Sequence, residues 1–365
     1  MEDADRRATG GAGRGALRVD AEARAALLAV HERLRIDDAW TAWHADGFTW
    51  WAHRLAQRIR VEGPHDVGGR PTYWASFETA TLRGVVPAAG DDRALRTSVA
   101  RLNRAAHLYE IHLRGGRLGV RGRVFFRPET RAFRARLLAD RALLAVTWAE
   151  RQADALVAGA HRLGLAEGVA VDAVPVPGRG PRPDADAMLG AVDAVFLPLG
   201  REAPRTAGAT DLRAAADVLA GAADRVGGDP AEGAVDATLR EGDLVARVTL
   251  HAQADHPGLG RGMLARVHLR PPALDGAAPG SDAAHDAALD ACATLNEASW
   301  SMPWPVLHVG AWTPDRDAVE GVAYATFHPN ATLVPGVAHA LAYDALGRIR
   351  FAHPLLVGRA SGDVN

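Results

Sequence analysis

A chain of 365 residues with 48% hydrophobic and 24% charged residues holds enough apolar material for two ordinary domains, and excludes a wholly disordered polymer. Its formal net charge of −2 excludes a whole-molecule field that would draw in nucleic acid or anionic membrane, so any electrostatic recognition is local. A single cysteine, Cys292, excludes an intrachain disulfide framework and fits a reducing, cytoplasmic compartment, and no apolar run reaches the ~18 residues of a membrane span.

Residues 1–18, with Gly10, Gly11, Gly13 and Gly15, read as a disordered tail. A first copy of an α+β domain is expected over 19–163. It opens with an amphipathic helix, Ala21 to Leu34, and passes an aromatic turn at Phe48, Trp50 and Trp51, one Trp expected in the core and the other partly exposed. Leu55, Gln57, Ile59 and Val61 then alternate with Arg54, Ala56, Arg58 and Arg60, the period of a half-buried strand. Gly63 to Gly69 is the turn to an antiparallel neighbour, Pro71 to Val85. Asp91 and Asp92 start a helix that reaches Asn103, and a hairpin follows. In its second strand Leu118, Val120, Gly122, Val124 and Phe126 face one way and Arg117, Arg121, Arg123, Phe125 and Arg127 the other. From Thr130 to about His161 the spacing Phe133, Leu137, Leu144, Trp148 predicts a long helix laid across the sheet.

Residues 164–208, broken by Pro175, Pro177, Pro181 and Pro183, read as a linker, with Ala191 to Leu199 as a short apolar element. The order then begins again over 209–358: a helix from Asp211, strands Leu244 to Ala252 and Met263 to Leu269, helix Asp282 to Ser299, a hairpin over Val306 to Phe327 and a last helix from about Leu333, with 359–365 as a tail. Leu102, Asn103, Arg104, Ala105 return as Leu295, Asn296, Glu297, Ala298, and Phe126, Arg127, Pro128 as Phe327, His328, Pro329. These landmarks predict a duplicated domain of about 150 residues, in which Asn103 and Asn296 would cap matching helices.

The chemistry-bearing residues form no familiar catalytic or metal motif. Fifteen His residues show no HxH or HExxH spacing, and Gly258, Gly260 and Gly262 lie where a hairpin needs glycine. The constellation singled out is basic: Arg54, Arg58, Arg60, Arg117, Arg121, Arg123 and Arg127, with Phe125, are expected to project from one face of the first sheet with few acids among them. Such a face could dock an acidic protein segment, since guanidinium pairs carboxylate bidentately. At the matching strand of the second copy the outward positions would be Glu320, Val322, Tyr324, Thr326 and His328.

The order of elements, together with Gly47, Phe48, Thr49, Trp50, Trp51 and the stretch Leu295, Asn296, Glu297 through Gly310, Ala311, Trp312 to Phe327, His328, Pro329, Asn330, resembles the YbjN-like and type III secretion chaperone-like superfamily, in particular actinobacterial proteins with tandem chaperone-like domains. The resemblance implies two tandem copies of an antiparallel sheet packed against helices, and a non-enzymatic protein-binding role as chaperone or adaptor, with no cofactor or metal. It also implies a protein partner in place of nucleic acid or membrane, held by a monomer with an internal pseudo-dimer or by a homodimer. The competing expectation is a small-molecule sensor with a ligand site in the cleft between the two domains, near the Trp300 to Pro305 loop.

Overall fold

The computed structural model describes residues 16–176, 182, 209–256, 259–274, 278, 280–301, 306–315, 321–329 and 336–357. Contacts divide the chain into two units, one of Met1–Val99, Tyr109–Val192 and Leu307–Val309, the other of Ala100–Leu108, Asp193–Val306 and Gly310–Asn365. Each unit therefore includes a short segment from the other half of the chain. Among the described residues the architecture is mixed α+β, with six helices and two antiparallel sheets.

In the first unit Asp20 starts helix α1 (Ala21–Arg33), its carboxylate accepting the Ala23 N–H at 2.9 Å. The stretch read as an aromatic turn is a hairpin, β1 (Thr41–His44) and β2 (Gly47–Trp51), so four strands, and not two, precede the next helix. Gly47 is required there, because a Cβ at this position would lie 2.0 Å from the Ile59 carbonyl oxygen. Trp50 and Trp51 are both buried: Trp50 enters the core and Trp51 donates to the Val174 carbonyl at 2.9 Å. Strands β3 (Ala56–Asp66) and β4 (Pro71–Arg83) pair as their alternation predicts, and after helix α2 (Asp92–Ala106) the hairpin β5 (Glu110–Arg114) and β6 (Arg117–Phe126) follows. Asp91 caps the start of α2 through Ala94 N–H at 3.0 Å, the role its position suggests.

Helix α3 (Arg131–Ala158) covers this sheet, but with a different face from the predicted one. Of the predicted positions Leu144 is buried, Phe133 is exposed and Leu137 and Trp148 are half-buried, whereas Leu138, Ala139, Ala142, Ala145, Val146 and Ala149 are fully enclosed. Alanine lets helix and sheet approach closely, and the larger side chains lie to the sides of that contact. Part of the predicted linker also belongs to the first unit: Ala170–Val171 adds to β4 as β7, pairing Val171 with Leu82. Residues 177–181 and 183–208, including the Ala191 to Leu199 element, lie outside the described residues.

The second unit runs through α4 (Ala209–Ala220), β8 (Arg225–Gly227), β9 (Ala234–Glu241), β10 (Leu244–His256), β11 (Gly260–Arg270), α5 (Asp282–Ser301), β12 (Ala311–Pro314), β13 (Val322–Pro329) and α6 (Val337–Val357). Its sheet order is β12-β13-β11-β10-β9-β8, and the first sheet, apart from β7, reads β1-β2-β3-β4-β6-β5. Read from its first strand, each sheet has one and the same order, so the repeated landmarks of the sequence correspond to a repeated topology. Gly260, at φ +73°, turns the β10–β11 hairpin, as its place between alternating strands suggests.

Neither repeated Asn ends a helix. Asn103 lies within α2 and Asn296 within α5, where its amide clamps the edge strand: Nδ2 donates to the Trp312 carbonyl at 3.0 Å and Oδ1 accepts the Trp312 N–H at 2.8 Å. The side chain replaces a missing strand for β12. Asn296→Asp keeps the acceptor and loses the donor, leaving a carboxylate facing a carbonyl. A loss of about 1–3 kcal/mol is expected, measurable by urea unfolding, and a neutral result would remove the clamp from the account of β12.

Candidate binding faces of the two sheets

Each sheet buries one face under helices and turns the other away from them. On the first sheet the second face carries Arg58, Arg60 and Glu62 from β3, Trp74, Ser76 and Glu78 from β4, Glu110 and His112 from β5, and Arg121, Arg123 and Phe125 from β6. The expected solvated arginine surface holds at its margins, where Arg58 and Arg117 are exposed, and is corrected at its centre. Arg121 and Arg123 are only 3% and 6% exposed. Arg54 leaves this face, donating to Asp154 at 2.9 Å and to the Glu150 backbone at 3.1 Å on α3. Arg58 pairs with Asp46 at 2.7 Å, Arg60 with Glu62 at 3.3 Å and Arg117 with Asp172 at 3.2 Å. Arg127 lies just past β6, its Nε 3.4 Å from Thr72 Oγ1, and the Arg134 guanidinium lies 4.8 Å from the Phe125 ring. Apart from Glu62, two positions along β3 from Arg60, the acids arrive from loops, helices and neighbouring strands.

The centre of this face is a buried ionic cluster. Arg121 Nε donates to Glu110 Oε2 at 2.6 Å and Nη2 to Oε1 at 2.9 Å. His308, fully enclosed, donates from Nε2 to the same Oε2, and its backbone exchanges two hydrogen bonds with Arg123, at 2.8 and 2.7 Å. Burial alone would push the Glu110 carboxyl up, but Arg121 and His308 together hold it well below the usual carboxylate range. Arg123, which lies over the Trp74 ring, is pushed down to about 10 by burial, with Glu62 opposing that fall and Arg60 adding to it. This arrangement fixes a segment from the far half of the chain onto β6. Such a pinned cluster is structural, so Arg121 and Arg123 cannot meet an acidic partner without first giving up these contacts.

The second sheet differs. Leu244, Ala246, Val248, Leu250 and Ala252 on β10 and Met263, Ala265, Val267 and Leu269 on β11 are buried. The alternate positions Val245, Arg247, Thr249, His251, Leu264, Arg266, His268 and Arg270 face away from the helices, partly or fully exposed. On β13 the outward positions are Ala323 and Ala325, which corrects the sequence reading: Val322 and Tyr324 are core residues at 0% and 1% exposure, Thr326 and His328 are also buried, and Glu320 lies outside the described residues. Aligning the two Phe-x-Pro landmarks set the strands one residue out of phase, and a one-residue slip exchanges the faces of a strand. Tyr324 lies beneath the Arg348 guanidinium at 3.5 Å, in the core.

Among the described residues Arg247 and Arg266 make no ion pair, whereas His268 Nδ1 lies 2.6 Å from Asp315 Oδ2. Sequence reasoning passed over these two arginines although the alternation that exposes them is as regular as that of β6. No group of three or more His, Cys, Asp or Glu side chains among the described residues is placed to hold a metal ion. A cavity of about 170 Å³, lined by Gly221, Leu239, Arg240, Leu346, Ile349 and Arg350, is smaller than the ~300 Å³ at which ligand pockets begin. Residues 302–305 of the loop considered for ligand sensing lie outside the described residues, and no described helix is long and apolar enough to cross a membrane. Comparison with models of known families, with curated proteins and with solved structures returned no match.

Proposed function

We propose that this chain is a non-enzymatic protein-binding module, chaperone-like or adaptor-like, that works in the cytoplasm and holds a protein partner on the exposed face of its second sheet. The observation that carries the reading is that face itself: four strands, β9, β10, β11 and β13, offer a pleated surface on which Val245 is 39% exposed and Leu264 half-buried beside Arg247 and Arg266. Apolar contact area set among arginines is the composition of protein interfaces, where Arg is enriched. The repeated helix, strand and hairpin order and the stretches that resemble the tandem chaperone-like proteins support the family side of the proposal. A lone buried thiol, Cys292, suits a reducing compartment.

Thr249 stands near the middle of this face, between Asp236 on β9 and Arg266 on β11. Thr249→Trp puts a bulky ring there without touching the core, and tryptophan suits a strand. Proteins captured by the tagged chain from its host are expected to lose their specific partner in this variant, while unfolding stability changes by no more than about 0.5 kcal/mol. Undiminished capture by the variant would refute binding at this face.

A further inference from the structure

We propose that Arg247 and Arg266 form a carboxylate-recognition site for an extended acidic segment of the partner, with acidic residues at alternate positions. The inference rests on the protein-binding reading above and specifies the chemistry of the partner.

Its basis is the contrast between the two sheets. The first gives each of Arg58, Arg60, Arg117, Arg121 and Arg123 a carboxylate partner, Arg60 and Arg123 sharing that of Glu62. The second leaves two neighbouring arginines without one. Arg266 stands directly across from Thr249 and Arg247 directly across from His268, so the two arginines are diagonal neighbours on adjacent strands. Such diagonal pairs are roughly 7–8 Å apart, and alternate side chains of an extended peptide are about 6.8 Å apart. Two carboxylates at positions i and i+2 of a strand-like segment therefore match two guanidinium groups, each able to take its carboxylate bidentately.

The surroundings favour an incoming anion. His251, two residues beyond Thr249, has its imidazole pushed down by burial and by Arg266, with Asp236 opposing and Arg247 adding to the fall. His107 is pushed down to about 4 by burial, then by Arg266 and His256. Arg266 thus acts on two imidazoles and is offset by no ion pair. Asp236 is the carboxylate facing this patch from β9, Ala325 and Ala323 are the neighbours on β13, and Asp315 is engaged with His268. Carboxylates settling on Arg247 and Arg266 would remove the repulsion felt by His251 and favour its protonation. Affinity should then rise as pH falls, by at most tenfold per pH unit for the one proton taken up.

The test is fluorescence anisotropy of the full chain with a labelled peptide of alternating Glu and Thr, against the same peptide with Gln for Glu. The Glu peptide is expected to bind and the Gln peptide not to. The double variant R247Q/R266Q should bind about tenfold or more weakly, in line with the loss of charge-assisted contacts. The wild-type gain should appear as pH falls through and below 6.5, the ordinary imidazole value under which His251 is held, and should flatten in H251Q. No binding of the Glu peptide, or equal binding by wild type and R247Q/R266Q, would overturn the proposal. If R247Q/R266Q also keeps its captured partner while Thr249→Trp loses it, the acidic-segment inference alone fails. If both variants keep the partner, the protein-binding reading of this face fails with it.

Discussion

Replacing Glu110 with Gln should destabilise the first unit by about 3–5 kcal/mol, because it strips Arg121 and His308 of their shared charge while leaving both buried. A urea titration of the full chain followed by tryptophan fluorescence measures this. Exchanging Glu110 and Arg121 together for apolar residues of similar size should cost far less, since the penalty lies in the stranded charge and not in the lost attraction. The pH dependence has a definite sign. Glu110 is held below its ordinary value of 4.5, so its contribution is present above that pH and is lost as pH falls towards the folded-state value. Wild type should lose stability on acidification below about pH 4.5 more steeply than Glu110→Gln, the group that titrates being absent from the variant. Equal slopes would mean that the cluster does not hold Glu110 ionised.

Trp50→Ala should have an effect of similar size, about 3–5 kcal/mol for a large aromatic removed from a closed core. Trp50 is 0% exposed, and its indole donates to Gln57 Oε1 at 2.9 Å, while Gln57 Nε2 donates to the Ala142 carbonyl at 2.9 Å. The three residues join β2, β3 and α3, so the variant leaves both a cavity and a buried amide oxygen without its donor. Trp50→Phe separates the two contributions: it fills most of the space, and the remaining loss of about 1–3 kcal/mol reports the unpaired Gln57 oxygen. A loss under 1 kcal/mol in Trp50→Ala would show that the site collapses around the gap.

Local periodicity located β3, β4, β6, β10 and β11, because a period of two with one apolar face depends only on residues a few positions apart. The hairpin at Gly260 and the helix start at Asp91 were legible for the same reason. What escaped depends on distance along the chain. Arg121 looks solvated in its own strand, yet it is buried by Glu110 across the hairpin and by His308, 198 residues from Glu110. The outward face of β13 was misread because a landmark alignment tolerates a one-residue error that a pleated strand does not. Asn296 reads as a cap because helix ends favour asparagine, and nothing near it in sequence announces that its partner is Trp312 across the following loop. Arg247 and Arg266 stand in an alternation as regular as that of β6, so their exposure is legible from the sequence alone.

The inclusion of Leu307–Val309 in the first unit bears on how the protein is made. Synthesis delivers Glu110 and Arg123 long before His308, and at about 5–20 residues per second the interval is on the order of 10–40 s. Throughout that interval the nascent first unit has Arg123 backbone groups and a Glu110 oxygen whose final partners are still untranslated. Its last step of assembly must wait until His308 has been translated, so any stop codon before Leu307 removes a contact from residues that were made correctly.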